Sequence, residues 1–203
     1  MTVEVGLTGN IGAGKSTVAR LLKQRGAVIV DADELVAAAL SDPEVVAEVG
    51  DTFVGVVTEG RVDRSALAAL VFADEPARRN LERIVHPRVA AATADAAARL
   101  RDGPNPPPMI VHDVPLLYEV GMAAGMDAVV VVDAPLELRV ARVAAHRGFP
   151  PEQVRARDAA QWPAARKRAL ADVVIVNDGD QGRLEEQIEQ AWPRLLAAAH
   201  QSR

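Results

Sequence analysis

The chain has 203 residues, 49% apolar and 25% charged, with a formal net charge of -5, which suits one domain or a core carrying an insertion, and no stretch has the charge excess and apolar poverty of a disordered segment. An acidic chain with 3% aromatic residues offers neither a general basic face nor stacking platforms for nucleic acid, and nothing that draws it to an anionic membrane. The absence of cysteine excludes disulfides and thiolate metal sites.

Met1-Thr2-Val3-Glu4-Val5 lacks the basic and apolar regions of a secretion signal, and no apolar run approaches the length of a membrane span, so a cytoplasmic protein is expected. Val3, Val5 and Leu7 alternate as a short strand. A glycine-rich stretch over 9–14 follows, then Val18, Leu21 and Leu22 at helical spacing, a stop at Gly26 and a second strand over 28–30. Strand, helix, strand in this order predicts a parallel sheet.

From 33 to about 100 the signals are helical, with alanine-rich runs over 35–40, 65–72, 77–85 and 89–100. Asp42-Pro43, Gly60 and His86-Pro87 are expected to break them, and the β-branched stretch over 52–58 reads as a loop or a short strand. The proline-rich stretch over 102–108 predicts a stiff return loop. The apolar runs over 109–112 and 128–132 predict buried parallel strands, each followed by an acidic residue, Asp113 and Asp133, with a helix over 116–124 between them. A helix over 136–146, a basic stretch, a strand over 173–176 and a last helix over 181–199 complete the pattern.

Gly9-Asn10-Ile11-Gly12-Ala13-Gly14-Lys15-Ser16 matches G-x-x-x-x-G-K-[ST] and stands between a strand and a helix, the context its mechanism requires. Glycines let several N–H groups turn into one small volume, where the positive end of the helix dipole also favours phosphate. Gly12, Ala13, Gly14, Lys15, Ser16 and Thr17 are therefore the expected nucleotide-binding residues. Lys15 would neutralise the β and γ phosphates of ATP, Ser16 would hold Mg2+, and Thr17 would contact the α phosphate. The fold predicted is a P-loop NTPase doubly wound parallel sheet of three α/β/α layers. Its nucleotide-binding core takes residues 1–32, 109–138 and 170–203, with a helical insertion over 33–108 and a lid over 139–169.

Three further segments carry a family resemblance: Val30-Asp31-Ala32-Asp33, Asp113-Val114-Pro115-Leu116-Leu117-Tyr118-Glu119, and the strand and turn from Ala171 to Gly179 that contain Asn177. With weaker agreement at Asp63-Arg64, Val71-Phe72, Leu81-Glu82 and His86-Pro87, the chain resembles the dephospho-CoA kinase family from Val5 to roughly Gly179. Glycine is usual in that family at the position of Asn10, where asparagine is expected to serve because it tolerates left-handed backbone.

The resemblance implies transfer of the ATP γ phosphate to the ribose 3'-hydroxyl of dephospho-CoA. In that reading Asp33 orients the hydroxyl and takes its proton, because a carboxylate at the carboxyl edge of a parallel sheet lies in the ligand crevice. Asp33 has a competing use as the cap of the next helix, and Asp31 reads as the end of a strand. Asp113 either holds Mg2+ through water or fixes the Pro115 turn, and His112 reads as a strand-end side chain rather than a ligand.

Between 139 and 168 there are eight basic residues against two acidic ones, as an arginine-bearing lid over a triphosphate requires. The resemblance implies that Arg142 contacts phosphate and that Asn177 borders the adenine, and the other cations read as surface. The resemblance also implies that the helical insertion over 33–108 binds the acceptor (CoA), as the small helical domain does in related nucleotide kinases; Arg64 and His86 are candidates to meet it, or are structural polar groups. The expected partners are ATP and dephospho-CoA, with no nucleic acid and no membrane, and a monomer is expected. Another P-loop small-molecule or nucleoside monophosphate kinase is the alternative, and a non-catalytic nucleotide-binding switch is a second. A GTP-driven switch lacks its Asn-Lys-x-Asp motif.

Overall fold

The computed structural model describes residues 1–198, Phe72 by its backbone alone; Ala199, expected in the last helix, and the Phe72 side chain of the family resemblance lie outside the described residues. The chain divides into two compact units, Met1–Val30 with Leu100–Arg203, and Asp31–Arg99.

The first unit is built on a sheet in which β1 (Val3–Thr8) is the central strand. The other strands are β2 (Val28–Asp31), β5 (Met109–Asp113), β6 (Ala128–Asp133) and β7 (Val173–Val176), in the order β2-β5-β1-β6-β7. Pairing is parallel from β5 through β1 and β6 to β7, with Leu7 opposite Asp113 on one side and opposite Val130 on the other. The buried β-branched runs of β5 and β6 are what a sheet covered on both faces demands.

Alternation sorts these residues by face. Val5, Leu7, Val111, Val130 and Val132 pack with α1 (Lys15–Gln24) and α9 (Gln181–Ala198), which contribute Val18, Leu21 and Leu22, and Leu184, Ile188 and Leu195. On the opposite face Gly6 leaves room for the fully buried Leu117: a Cβ at Gly6 would lie 2.6 Å from Leu117 Cδ2. Leu117 belongs to the connection between β5 and β6, where the expected helix over 116–124 is not formed. Turns run from Pro115 to Gly121 and a 3-10 helix covers Met122–Gly125, because Gly121 adopts φ 76° and reverses the chain after a single turn. The same unit holds α6 (Leu136–Arg147), α7 (Pro151–Ala159) and α8 (Ala164–Ala169), with Val140, Val143 and Val154 in a smaller core of their own.

The second unit contains α2 (Ala32–Ala39), α3 (Pro43–Thr52), a hairpin of β3 (Val57–Thr58) and β4 (Arg61–Val62), α4 (Arg64–Ala73) and α5 (Glu75–Arg101), whose last two residues belong to the first unit. Helix α3 was not foreseen. Asp42-Pro43, expected as a break, starts it: the Asp42 carboxylate accepts from Glu44 N at 2.8 Å, and Pro43 occupies the first turn, where no N–H is missed. The expected break at His86-Pro87 is also absent, since α5 runs through it. A proline removes one N–H, a cost of about 3 kcal/mol. Against it stand Ile84, Val85, Thr93 and Ala97, all buried at helical spacing across the proline, and the Arg88 guanidinium, which donates to the Ile84 carbonyl at 2.8 Å.

Truncating the side chain that fills the space above Gly6 tests this packing. Leu117→Ala is expected to cost about 2–5 kcal/mol, read as a lower urea midpoint with an unchanged slope.

Candidate active site

At the carboxyl end of β1 the chain leaves the sheet and turns back into α1. Gly12 and Gly14 have φ of 78° and 92°, a conformation that side chains resist, and Gly14 caps α1. Ala13 N donates to Asn10 O at 3.0 Å and Thr17 N to Gly14 O at 3.0 Å, closing the turn. Among the described residues, the N–H groups of Gly12, Gly14, Lys15 and Ser16 donate to no protein acceptor. They stand together at the positive end of α1, an arrangement that binds a phosphate chain. Ser16 is exposed, and Lys15 Nζ pairs with Asp113 Oδ1, bringing the ammonium to the carboxyl end of β5.

Arg142 and Asn177 join this cradle. Asn177 Nδ2 donates to Ala13 O at 2.8 Å, and Asn177 O accepts from Arg142 Nη1 at 2.8 Å. Ala13, Asn177 and Arg142 are thus linked in series, through carbonyls that leave the remaining Arg142 donors available.

Asn10 corrects its expected role. It is not at positive φ; instead its buried amide donates to Asp158 Oδ1 at 2.8 Å and to Trp162 O at 3.2 Å. Two cations expected at the surface are buried. Arg139 donates to Ala134 O, Ile11 O and Asp158 Oδ1, while Lys167 pairs with Glu119 Oε1 at 2.8 Å and donates to Pro115 O. Their charges are tolerated because each is paired and hydrogen-bonded. The signal for Arg139 was present in the sequence: it lies on the stripe of Leu136, Val140 and Val143 that a helix turns inward. Other cations of the stretch are engaged locally, Arg168 with Asp133, Arg155 with Glu137, Arg157 over Phe149 and Arg166 over Trp162. His112 lies on buried β5 as a strand side chain, its Nε2 3.0 Å from Glu4 Oε2.

Asp33, Arg64 and His86 belong to the second unit, and all three are exposed. The cap of α2 is Asp31, whose Oδ1 accepts from Asp33 N at 2.8 Å and Glu34 N at 3.4 Å. Asp31 therefore takes the capping task considered for Asp33, whose carboxylate has no partner among the described residues. Arg64 opens α4 behind the Asp63 cap, and His86 precedes Pro87 on α5.

Burial pushes the Asp158 carboxyl up, but hydrogen bonds from Arg139 and Asn10, together with the charges of Arg139 and Lys167, outweigh it and leave it below the ordinary aspartate value. A depressed carboxyl contributes stability above its unfolded pKa and loses it as pH falls through the folded value. The thermal stability advantage of the native chain over Asp158→Asn is accordingly expected to be full at neutral pH and to shrink below about pH 4, as melting curves across pH would record.

The dephospho-CoA kinase family model matches residues 3–182. A dephospho-CoA kinase of Deinococcus radiodurans is 48% identical over 193 residues, covering 94% of this chain and 91% of that protein. A solved Thermus thermophilus protein, TT1252, superposes with a TM-score of 0.84 at 39% identity, covering 96% of this chain and 98% of that one. A Campylobacter jejuni dephospho-CoA kinase shares the fold, with a TM-score of 0.71 at 21% identity and coverage of 98% and 100%. With a match spanning cradle, sheet and insertion alike, the chain belongs to the dephospho-CoA kinase family.

Proposed function

We propose that the chain transfers the γ-phosphoryl group of ATP to the ribose 3'-hydroxyl of dephospho-CoA, giving CoA and ADP. The observation that carries this reading is the set of unspent N–H groups at Gly12, Gly14, Lys15 and Ser16, beside the Lys15 ammonium, in a chain of this family. Those donors suit the ATP phosphates, with Ala13 and Thr17 lining the same turn and Arg142 adding positive charge at its Asn177 edge.

The hydroxyl oxygen attacks the γ phosphorus, the bond to the bridging β,γ oxygen breaks, and the hydroxyl proton passes to Asp33. An aspartate relieved of capping duty by Asp31 is free for that task. Ser16 and Asp113 supply hard oxygen atoms at the cradle, as Mg2+ requires, and they are the residues that would hold it. The ion would supply neutralisation of phosphate charge. Residues 33–108, with Arg64 and His86, would receive the acceptor; 139–169 would cover the triphosphate; and 1–32, 109–138 and 170–203 would form the nucleotide core. Among the described residues no helix is long and apolar enough to cross a membrane, and we place the enzyme in the cytoplasm as a monomer acting on small molecules.

The test follows ADP release from ATP and Mg2+ with dephospho-CoA or AMP as acceptor. Dephospho-CoA is expected to be preferred, and a preference for AMP would reassign the chain to the nucleoside monophosphate kinases. Asp33→Asn is expected to lower kcat by roughly two to four orders of magnitude and Lys15→Ala by a comparable factor, both with native circular dichroism. Near-normal turnover by Asp33→Asn would remove it from the base role.

A further inference from the structure

We propose that Asp158 is a positioning residue for the nucleotide: through Asn10 and Arg139 it clamps the apex of the phosphate cradle in its binding conformation. This inference deepens the proposed function and rests on residues 9–17 being the nucleotide site.

Asp158 is far from the cradle in sequence, yet its Oδ1 accepts from Asn10 Nδ2 at 2.8 Å and from Arg139 Nη1 at 2.5 Å. The same Arg139 nitrogen donates to Ile11 O at 3.2 Å, and Gln161 Oε1 accepts from Ile11 N at 2.8 Å. Both polar backbone groups of Ile11 are thereby held by α6 and the segment after α7. The next residue is held by contact, since a Cβ on Gly12 would lie 2.7 Å from Arg139 O. The groups clamped are the main-chain atoms of the turn itself, a more specific arrangement than general packing would produce.

The clamp has a rigid back. Trp162 N donates to Glu119 Oε1 at 2.9 Å, the same oxygen that pairs with Lys167, and the Tyr118 and Trp162 rings stack with planes 5° apart. Trp162 O accepts the second Asn10 contact at 3.2 Å. The Pro115-Leu116-Leu117-Tyr118-Glu119 turn thus anchors the segment that bears Gln161 and Trp162, which in turn grips Asn10 and Ile11.

The consequence for binding is sharp. With Ile11 N–H spent on Gln161, the N–H groups of Gly12, Gly14, Lys15 and Ser16 are left for phosphate. An apex released from Asp158 would sample turns in which these donors diverge, and apparent affinity falls with the fraction of time the cradle is competent. Arg139 is 3% exposed and Asn10 5% exposed, so water does not easily replace the lost contacts.

The experiment compares the native chain, Asn10→Gly, Asp158→Asn and the double variant. It uses calorimetry with Mg-ATP, initial rates with ATP and dephospho-CoA, and thermal unfolding on each. Each single variant is expected to raise the Kd and KM for ATP about tenfold, while kcat and the KM for dephospho-CoA change by less than about threefold. Asn10→Gly should add less in the Asp158→Asn background than it costs alone, because there only its contact with Trp162 O remains to be lost in full. Should Asp158→Asn fail to fold through its unpaired Arg139, Asn10→Gly decides alone, since it leaves the Arg139 pair intact. An unchanged KM for ATP in folded single variants, or additive effects in the double, would overturn the clamp. So would a loss of kcat alone, as a smaller folded fraction produces. Native protein that binds Mg-ATP but does not phosphorylate dephospho-CoA would refute the proposed acceptor and leave the calorimetric test of the clamp standing.

Discussion

A main-chain N–H without an acceptor, close to a helix's positive end, is satisfied by water or by an anion, and this chain presents four of them within five residues. The rest of the first unit serves to keep them convergent. The parallel sheet sets the end of β1 beside the ends of β5 and β6, so that Asp113 reaches Lys15 although 98 residues of chain separate them. Asn177 reaches Ala13 across 164 residues by the same logic, as β7 lies at the other side of the sheet. Carboxyl ends of neighbouring strands are where such a fold gathers side chains from distant parts of the chain.

The basic stretch divides by what its charges touch. Arg139 and Lys167 are buried with carboxylates of their own, Asp158 and Glu119, and their role is to hold backbone. Removing one partner from either pair would strand a charge away from water, at a cost of several kcal/mol. Arg142 differs: its partner is a carbonyl, so its charge is not neutralised by an acid at that contact. A charge surplus read from composition therefore mixes anchoring cations with cations available to a phosphate, and the partner each one holds is what separates them.

Much of this was legible from residue order alone. The cradle was, because its chemistry is local: glycines at the turn, a lysine and a serine at the helix start, and a strand before them. The buried strands were, because near-continuous β-branched apolar runs are characteristic of covered parallel sheet. Local signals misled where a single residue was read without its surroundings. Asp42-Pro43 looked like a stop and is a helix start; His86-Pro87 looked like a stop and lies within α5, outweighed by apolar residues on either side of it. At 116–124 a helical pattern lost to Gly121 and to the need of Leu117 to fill the space over Gly6.

The glycine turn with its converging N–H groups, the buried strands and the family were thus written in short stretches of neighbouring residues, where backbone geometry and dipoles act over a few ångströms. The identity of the residues that brace the site was not. Asn10 finds Asp158, and Glu119 finds Lys167, only after the sheet has assembled, since hydrogen bonds between side chains 148 and 48 positions apart in the chain leave no periodic trace in it.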